Sequence, residues 1–166
     1  YFVTDNYNPP KIIIVDPGER DEITLNDYMK DHNKIQLLKN EKLDIVGSDE
    51  KTESFQVKIF KVFHSQSNNH VALTAHHREV LSTAMKRYDP EFFSGFTEKK
   101  KQNSDEDDAS GNYVVKAYII GDYLDKHVST ERGTFYFHDE DENQMYPISK
   151  EHIERAATKL VAAHFK

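Results

Sequence analysis

The chain contains neither cysteine nor tryptophan, and glycine and proline number only six and five among its 166 residues. The absence of cysteine excludes disulfide bonds, zinc–thiolate sites and cysteine nucleophiles. It also fits a reducing compartment, so we expect a cytoplasmic protein. No apolar run approaches the roughly 20 residues that span a bilayer, and the first residues do not form a secretory signal. We therefore expect no contact with a membrane.

Positive charge is also scarce, with 22 Lys and Arg against 29 Asp and Glu and a formal net charge of −7. Binding to DNA or RNA depends on counterion release by many cationic contacts. A longer parent protein could still act on nucleic acid, but the composition of this acidic chain does not indicate it. The chain begins with Tyr1 rather than Met, and we interpret it as an internal fragment of a longer protein.

Runs rich in β-branched and aromatic residues predict most of the secondary structure. The first run is short and wholly apolar, which favours a buried strand. The run at 70–75 is predicted to return from 54–63 as a hairpin, through the polar turn at 65–69. The predicted strands cover 11–15, 43–46 (weak), 54–63, 70–75, 113–121 and 134–138.

Helices are predicted from caps and from apolar spacing. Thr24 and Asp27 resemble a capping box that opens a short helix to about Asp31. Apolar residues at helical spacing favour a helix over 79–93, up to the break at Asp89-Pro90. Ser149 is expected to cap a last helix, to about His164, with one apolar face. The polar segment 97–112 is expected to be a mobile insertion. Together these elements indicate an α+β fold.

Two segments resemble the transducer domains of MutL-type ATPases. Residues 69–80 (Asn-His-Val-Ala-Leu-Thr-Ala-His-His-Arg-Glu-Val) resemble the segment FVNGRxV, with Arg78 as its arginine. Residues 122–137 resemble DVNVHPAKxEVRF, with Val128 in place of the valine and Arg132 in place of the lysine. The family has a proline before its lysine, where this chain has Thr130-Glu131. Gyrase B also uses a lysine there, and the ninety-kilodalton heat-shock chaperone uses an arginine.

The resemblance implies the transducer domain of a GHKL-type ATPase, the group that unites gyrase B, that chaperone, histidine kinases and MutL. It implies a mixed sheet with helices packed on one face, of the ribosomal-protein βαβ type with a left-handed crossover. It covers 54–166 and leaves 1–53 as an N-terminal connecting segment. Arg132 would be the catalytic residue that touches the γ-phosphate, and Arg132 and Arg78 would both contact nucleotide.

The nucleotide itself would be bound elsewhere. The sequence has no Glu-x-x-x-Asn helix for magnesium and no Asp-x-Gly-x-Gly motif for adenine. The resemblance therefore implies that ATP and Mg²⁺ bind to an upstream domain absent from this chain, and that the fragment alone does not turn over ATP. The implied partners are that upstream domain and a second copy of the full-length protein.

Other interpretations of the same residues stay open. Arg132 could lie in a solvated turn, and Arg78 could hold a strand–helix turn. Asp122 and Asp125 could orient the basic loop through salt bridges. The histidines near His76 could suggest a metal-assisted hydrolase, but we expect no metal site, because their positions do not predict convergence. The main alternative to a transducer is a non-catalytic protein-interaction module.

Overall fold

The computed structural model describes residues 10–15, 18, 22–24, 26–27, 34–63, 65–98, 111–137 and 146–165. It confirms an α+β fold with a mixed sheet and two α-helices. Two 3-10 helices cover Met85–Arg87 and Pro90–Phe93. The strands are β1 Ile13–Val15, β2 Glu22–Thr24, β3 Ile35–Val46, β4 Thr52–Phe63, β5 His70–Ala75, β6 Arg78–Ala84, β7 Phe96–Glu98 and β8 Gly111–Ile120; the helices are α1 Asp122–His127 and α2 Lys150–Ala162.

The main sheet has the strand order β3-β4-β8-β5-β6, and β7 also pairs with β8. All pairs are antiparallel except β5 and β8, which run parallel. Strand β4 pairs with one side of β8 along most of its length. β7 and β5 both pair with the other side, β7 with the first residues of β8 and β5 with Lys116–Ile119. Because β5 and β8 are parallel neighbours, their carboxyl ends lie at the same edge of the sheet.

One face of the sheet carries the core. Val57 pairs with Ile119 and Ile59 with Ala117, and all four residues are fully buried. Helix α2 packs over this face through Ile153, Ala157 and Val161, which are also fully buried. The predicted final helix and its cap are confirmed, because the Ser149 Oγ accepts a 3.1 Å hydrogen bond from the backbone N–H of His152.

The predicted hairpin between 54–63 and 70–75 is wrong. Both segments are strands, but β8 lies between them, and β4 forms its hairpin with β3. β3 was nearly invisible in the sequence because it is an edge strand in which only Ile45 is buried. A domain boundary at residue 53 would fall inside this hairpin. The division of the chain into 1–53 and 54–166 stays a prediction.

The predicted helix over 79–93 is also wrong, because residues 78–84 form β6 and only short 3-10 helices follow. His76 and His77, with φ values of 47° and 65°, form a two-residue turn that folds β6 back onto β5. A bulge then shifts the β5–β6 register at Leu73/Thr74. The shift disturbs the alternation expected of a strand, which is why the apolar spacing resembled that of a helix.

The N-terminal strand is confirmed as a strand, but its predicted burial is wrong. Among the described residues, β1 pairs only with β2, in a separate two-stranded sheet, and its residues Ile13 and Val15 are 41% and 56% exposed. Thr24 is the last residue of β2, and Asn26 and Asp27, which lie within the predicted helix, are helical. The rest of that predicted helix, at 28–31, lies outside the described residues.

The predicted insertion at 97–112 begins and ends in strand, since β7 pairs with the first residues of β8. Its central part, 99–110, lies outside the described residues. The predicted strand at 134–138 reduces to a single bridge between Val128 and Phe135. No helix in the described part of the chain is long and apolar enough to cross a membrane.

Candidate functional site at the ends of two parallel strands

The carboxyl ends of β5 and β8 bring the two predicted site arginines to loops that leave the same edge of the sheet. β5 ends at Ala75 and continues through the histidine turn to Arg78. β8 ends at Ile120 and continues through α1 to the loop that carries Arg132. Ligands of sheets with parallel strands commonly bind beyond such carboxyl ends. We therefore take this edge as the candidate site.

Helix α1 fixes the start of the second loop. Gly121 precedes it at a close approach, since a Cβ there would lie 2.9 Å from Phe55 Cδ1 and 3.1 Å from the Ser54 carbonyl oxygen. Tyr123 and Leu124 are buried beneath the helix. The Tyr123 hydroxyl donates a 2.9 Å hydrogen bond to the Ile148 carbonyl, and burial raises the pKa of this phenol. α1 is thus a firmly packed base for the loop.

The loop that carries Arg132 closes on itself through backbone hydrogen bonds. The Arg132 N–H donates to the Ser129 carbonyl over 2.8 Å, and the Ser129 N–H donates to the Thr134 carbonyl over 2.9 Å. The Ser129 Oγ accepts from the N–H groups of Gly133 and Thr134, both over 3.3 Å. The bridge between Val128 and Phe135 closes its base. The loop is therefore an ordered structure that presents one side chain at its turn.

Arg132 has a φ of 55°, in the left-handed region that costs a non-glycine residue roughly 1–2 kcal/mol. Its side chain is exposed, and it makes no hydrogen bond or ion pair with any residue in the described ranges. The guanidinium is therefore available to an anion from outside the described part of the chain. At an exposed position it is hydrated, so useful binding would require a second surface that excludes water.

Arg78 is the first residue of β6 and pairs with Ala75 across the histidine turn. Its side chain is exposed, and no hydrogen bond or ion pair joins it to another described residue. The turn that Arg78 follows connects two strands, so its suggested role in a strand–helix turn is wrong. No direct contact joins Arg78 to Arg132 in the described part of the chain.

Asp125 links the two loops, but not as the sequence suggested. Its Oδ1 accepts a 2.7 Å hydrogen bond from the backbone N–H of His76 and lies 4.0 Å from His76 Nδ1. The carboxylate therefore ties α1 to the histidine turn and forms no salt bridge with the basic loop. Asp122 is exposed and forms none either, among the described residues.

The histidines do not gather in the described part of the chain. His70 Nδ1 contacts the Asn68 carbonyl over 2.6 Å, whereas His76 and His77 are exposed at their turn. His64 lies outside the described residues. No group of three His, Asp or Glu side chains in those ranges could hold a metal ion.

A second polar cluster surrounds Glu154 of α2 and is not among the sites predicted from the sequence. Glu154 is fully buried, and its carboxylate accepts hydrogen bonds from Thr83 Oγ1 over 2.8 Å and from the Tyr88 hydroxyl over 2.6 Å. Burial and then the bond to Glu154 raise the pKa of Tyr88. The sequence contains a signal for this cluster, namely a charged residue on the apolar stripe of the helix. Glu154 follows Ile153 and lies three residues before Ala157. Its contacts are internal, and they join α2 to β6 and the segment after it.

A shallow groove of about 690 Å³ lies across the ends of β3, β4 and β8. Ser54 and Lys42 contribute to its lining, and both bond to Asp44, whose carboxylate accepts from Ser54 Oγ over 2.6 Å and from Lys42 Nζ over 2.9 Å. These two bonds, Ser54 first, lower the pKa of Asp44. The Ser54 hydroxyl and the Lys42 ammonium are therefore both engaged by Asp44.

No model of a known protein family matches this chain, and neither a curated protein nor a solved structure is significantly similar to it.

Proposed function

We propose that this chain is the transducer-like part of a GHKL-type ATPase. It would couple ATP binding and hydrolysis in an upstream domain to conformational change, with Arg132 supplying positive charge to the γ-phosphate. ATP and Mg²⁺ would be held by that upstream domain, in a cytoplasmic protein that works as a homodimer. The observation that supports this proposal best is the exposed Arg132 guanidinium, without a partner in the described ranges, on a loop closed by its own hydrogen bonds.

The chemistry of phosphoryl transfer explains why such a loop is useful. Negative charge spreads over the γ-phosphoryl oxygens in the transition state, and a delivered cation stabilises it. A guanidinium presents a rigid fork of donors that matches phosphate oxygens better than an ammonium does. Since the loop backbone is ordered before it docks, the conformational entropy lost on binding is confined to the Arg132 side chain. Exposure in the free chain is expected of a cation whose partner lies on another domain.

The role of Asp125 follows from the same proposal. By holding the N–H of His76, this carboxylate fixes α1 against the β5–β6 turn, and α1 carries the loop of Arg132. A rigid-body movement of the sheet edge would then move the loops of Arg78 and Arg132 together. Such a movement is one of the ways in which nucleotide state is relayed between domains.

The test uses the full-length protein that contains the upstream domain. We expect Arg132→Ala to lower kcat for ATP hydrolysis by about 100-fold or more and to leave the Kd for nucleotide nearly unchanged. Alanine tolerates the left-handed backbone no better than arginine does, so the substitution removes the cation without relaxing the loop. Glu131→Ala, at the exposed neighbouring position, is the matched control and should retain turnover.

Unchanged turnover in Arg132→Ala would show that this residue does not act on the γ-phosphate. The alternative function is a protein-interaction module without a nucleotide role. It is favoured by the exposed aromatic side chain of Phe93, which lies outside both arginine loops. The sequence upstream of Tyr1 distinguishes the two functions: an ATPase requires an Asn-bearing helix for magnesium and a glycine-rich lid before this segment.

A further inference from the structure

Phe93 is the most exposed large apolar side chain in the described part of the chain, with 73% of its area open to solvent. Its backbone is nonetheless fixed on both sides. Asn69 Nδ2 donates to the carbonyls of Phe92 over 3.0 Å and of Ser94 over 2.8 Å, and Asn69 itself is buried. Phe92 lies in the core, edge-on to Phe96. The ring of Phe93 is thus held outward by a rigid base, as expected for an anchor that is organised before binding.

Two cations accompany the aromatic rings of this region. Lys86 Nζ lies 5.4 Å from the centroid of the Phe93 ring, and Arg87 Cζ lies 5.8 Å from that of Tyr88. Both cationic side chains are exposed. Cation–π contacts of this kind are weak in water and strengthen when a partner covers them. They keep positive charge beside the apolar ring, where an incoming carboxylate could reach it.

A cavity of about 330 Å³ lies between Tyr88 and the last turns of α2. Thr158, Ala162 and Ala163 supply small side chains to its lining. Lys159 and Arg155 stand at the same cavity, and Arg155 is held by a 2.6 Å ion pair with Glu151. The cavity therefore offers a small, mainly apolar recess with the charged groups of Arg155, Lys159 and Asp89 in its lining, and Tyr88 joins it to the segment that carries Phe93.

We propose that these residues form a docking surface for an acidic peptide segment of a partner protein, with one apolar side chain of that segment seated in the cavity. We call it the Phe93 surface and define it by Lys86, Arg87, Tyr88, Phe93, Arg155 and Lys159. This inference is independent of the proposed ATPase role, because none of these residues belongs to the loops of Arg78 or Arg132.

Charge complementarity identifies the acidic partner. Lys86, Arg87 and Lys159 form no ion pair with any residue that the structure describes. The carboxylates of Asp89, which accepts the N–H of Glu91, and of Glu91 itself lie on the same segment. The cations of Lys86, Arg87 and Lys159, added to the ion-paired Arg155, still leave an excess of positive charge, which matches a segment whose carboxylates flank one apolar side chain. Aromatic and arginine anchors of this kind typically carry most of the energy of an interface.

A peptide fits this surface better than single-stranded nucleic acid does. Nucleic-acid channels need a series of aromatic platforms along a basic groove, whereas this surface has one freely exposed ring. Asp89 contributes to the lining of the cavity, where it could accept a peptide N–H. The net charge of −7 would repel a polyanion more strongly than a peptide with a few carboxylates.

The experiment measures fluorescence anisotropy of a labelled twelve-residue peptide with four Asp or Glu residues around a single Leu. We expect the chain to bind this probe and to bind a version with Lys in place of the acids at least about tenfold more weakly. Binding should weaken as NaCl rises from about 50 to 300 mM. Phe93→Ala and Lys86→Glu should each weaken it about tenfold. Tyr136→Ala and Lys39→Glu, at exposed positions outside the Phe93 surface, are the matched controls.

Phe93 is exposed, so its substitution should leave the melting temperature unchanged, which separates lost binding from lost folding. Undetectable binding, or binding that Phe93→Ala and Lys86→Glu leave unchanged, would overturn the proposal. So would tighter binding of a labelled dT oligonucleotide, because it would assign the surface to nucleic acid. A concentration-dependent dimer that Phe93→Ala abolishes would overturn it in favour of a second copy of this chain.

Discussion

The buried carboxylate of Glu154 makes a quantitative prediction possible. It has no exposed area, and its two oxygens depend on two hydroxyl donors, Tyr88 at 2.6 Å and Thr83 at 2.8 Å. We predict that Tyr88→Phe, which removes only one hydroxyl and keeps the ring, lowers the free energy of unfolding by about 2 kcal/mol. The loss arises because one carboxylate oxygen keeps its desolvation cost and loses its donor.

The magnitude follows from the setting of the bond. Hydrogen bonds to charged groups contribute about 1.5–3 kcal/mol, roughly twice the value for neutral pairs. The cavity beside Tyr88 has room for water, which could replace part of the lost bond, so the upper end of that range is not expected. Thr83→Val tests the other oxygen with little change in shape. Since both donors serve one carboxylate, the two substitutions should not be additive.

Urea denaturation, followed by circular dichroism, is the assay. With a denaturant slope of about 2 kcal/mol per molar, a loss of about 2 kcal/mol lowers the midpoint by about 1 M. Tyr136→Phe is the control, because Tyr136 is exposed and its hydroxyl bonds to no described residue, so its midpoint should stay within about 0.2 M of the original. A shift that small in Tyr88→Phe would refute the claim that its hydroxyl supports the buried charge.

Two further predictions concern the turn between β3 and β4 and the alkaline limit of stability. Glu50→Gly should stabilise the chain by about 0.5–1 kcal/mol, because the left-handed φ of 61° is strained for glutamate and the entropy cost of glycine offsets only part of the gain; a melting temperature that does not rise would contradict this. The folded-state pKa values of Tyr88, Tyr118 and Tyr123 are raised, in each case chiefly by burial, so folding favours their neutral forms. That contribution is fully present below the unfolded pKa of about 10 and is lost as pH rises above it; equal free energies of unfolding at about pH 8 and pH 11 would contradict the reasoning.

The elements that could be predicted from the sequence are those whose signal is local. β8 is a run of β-branched and aromatic residues that is buried at the centre of the sheet, and α2 combines a serine cap with an apolar stripe. Both need only the 2-residue or 3.6-residue period and a cap to be recognised. β4 is equally clear over Phe55–Ile59, where its buried side chains alternate with polar ones in sequence. The α+β class follows from these elements alone.

The remaining elements depend on contacts between residues far apart in the chain. β8, about 50 residues further along the chain, lies between β4 and β5 and pairs with both. It therefore occupies the position beside β4 that a β4–β5 hairpin would need. β6 was mistaken for a helix because a bulge disturbs its alternation. β1 has the composition of a core strand, yet the described residues leave it exposed. No local pattern contains that information.

In the candidate site, too, some features have a local signal in the sequence and others depend on contacts between distant residues. The sequence placed Arg132 in a loop between two strand-like segments, and the structure has such a loop, closed by one bridge. The partner of Asp125, 49 residues away at His76, could not be predicted because it exists only once β5 and β8 lie side by side. Glu154 could have been found, since a charged residue on the apolar stripe of a helix must be either paired or exposed.

The conformation of Arg132 is the feature of the site that most requires a physical reason. Gly133, the next residue, could adopt a left-handed φ at no steric cost, and a Cβ there would meet nothing within 4 Å. Yet the positive φ falls on the arginine, and no glycine in the described part of the chain has one. The hydrogen bonds from Arg132, Gly133 and Thr134 to Ser129 impose this arrangement and offset its strain. Strained backbone that the surrounding bonds hold in place is frequent where a side chain must be presented in one direction. The same bonds fix the backbone from which the Arg132 side chain extends, so the side chain could meet a phosphate without rearrangement of the loop, which is why Arg132, more than the unstrained Arg78, is the residue to test first.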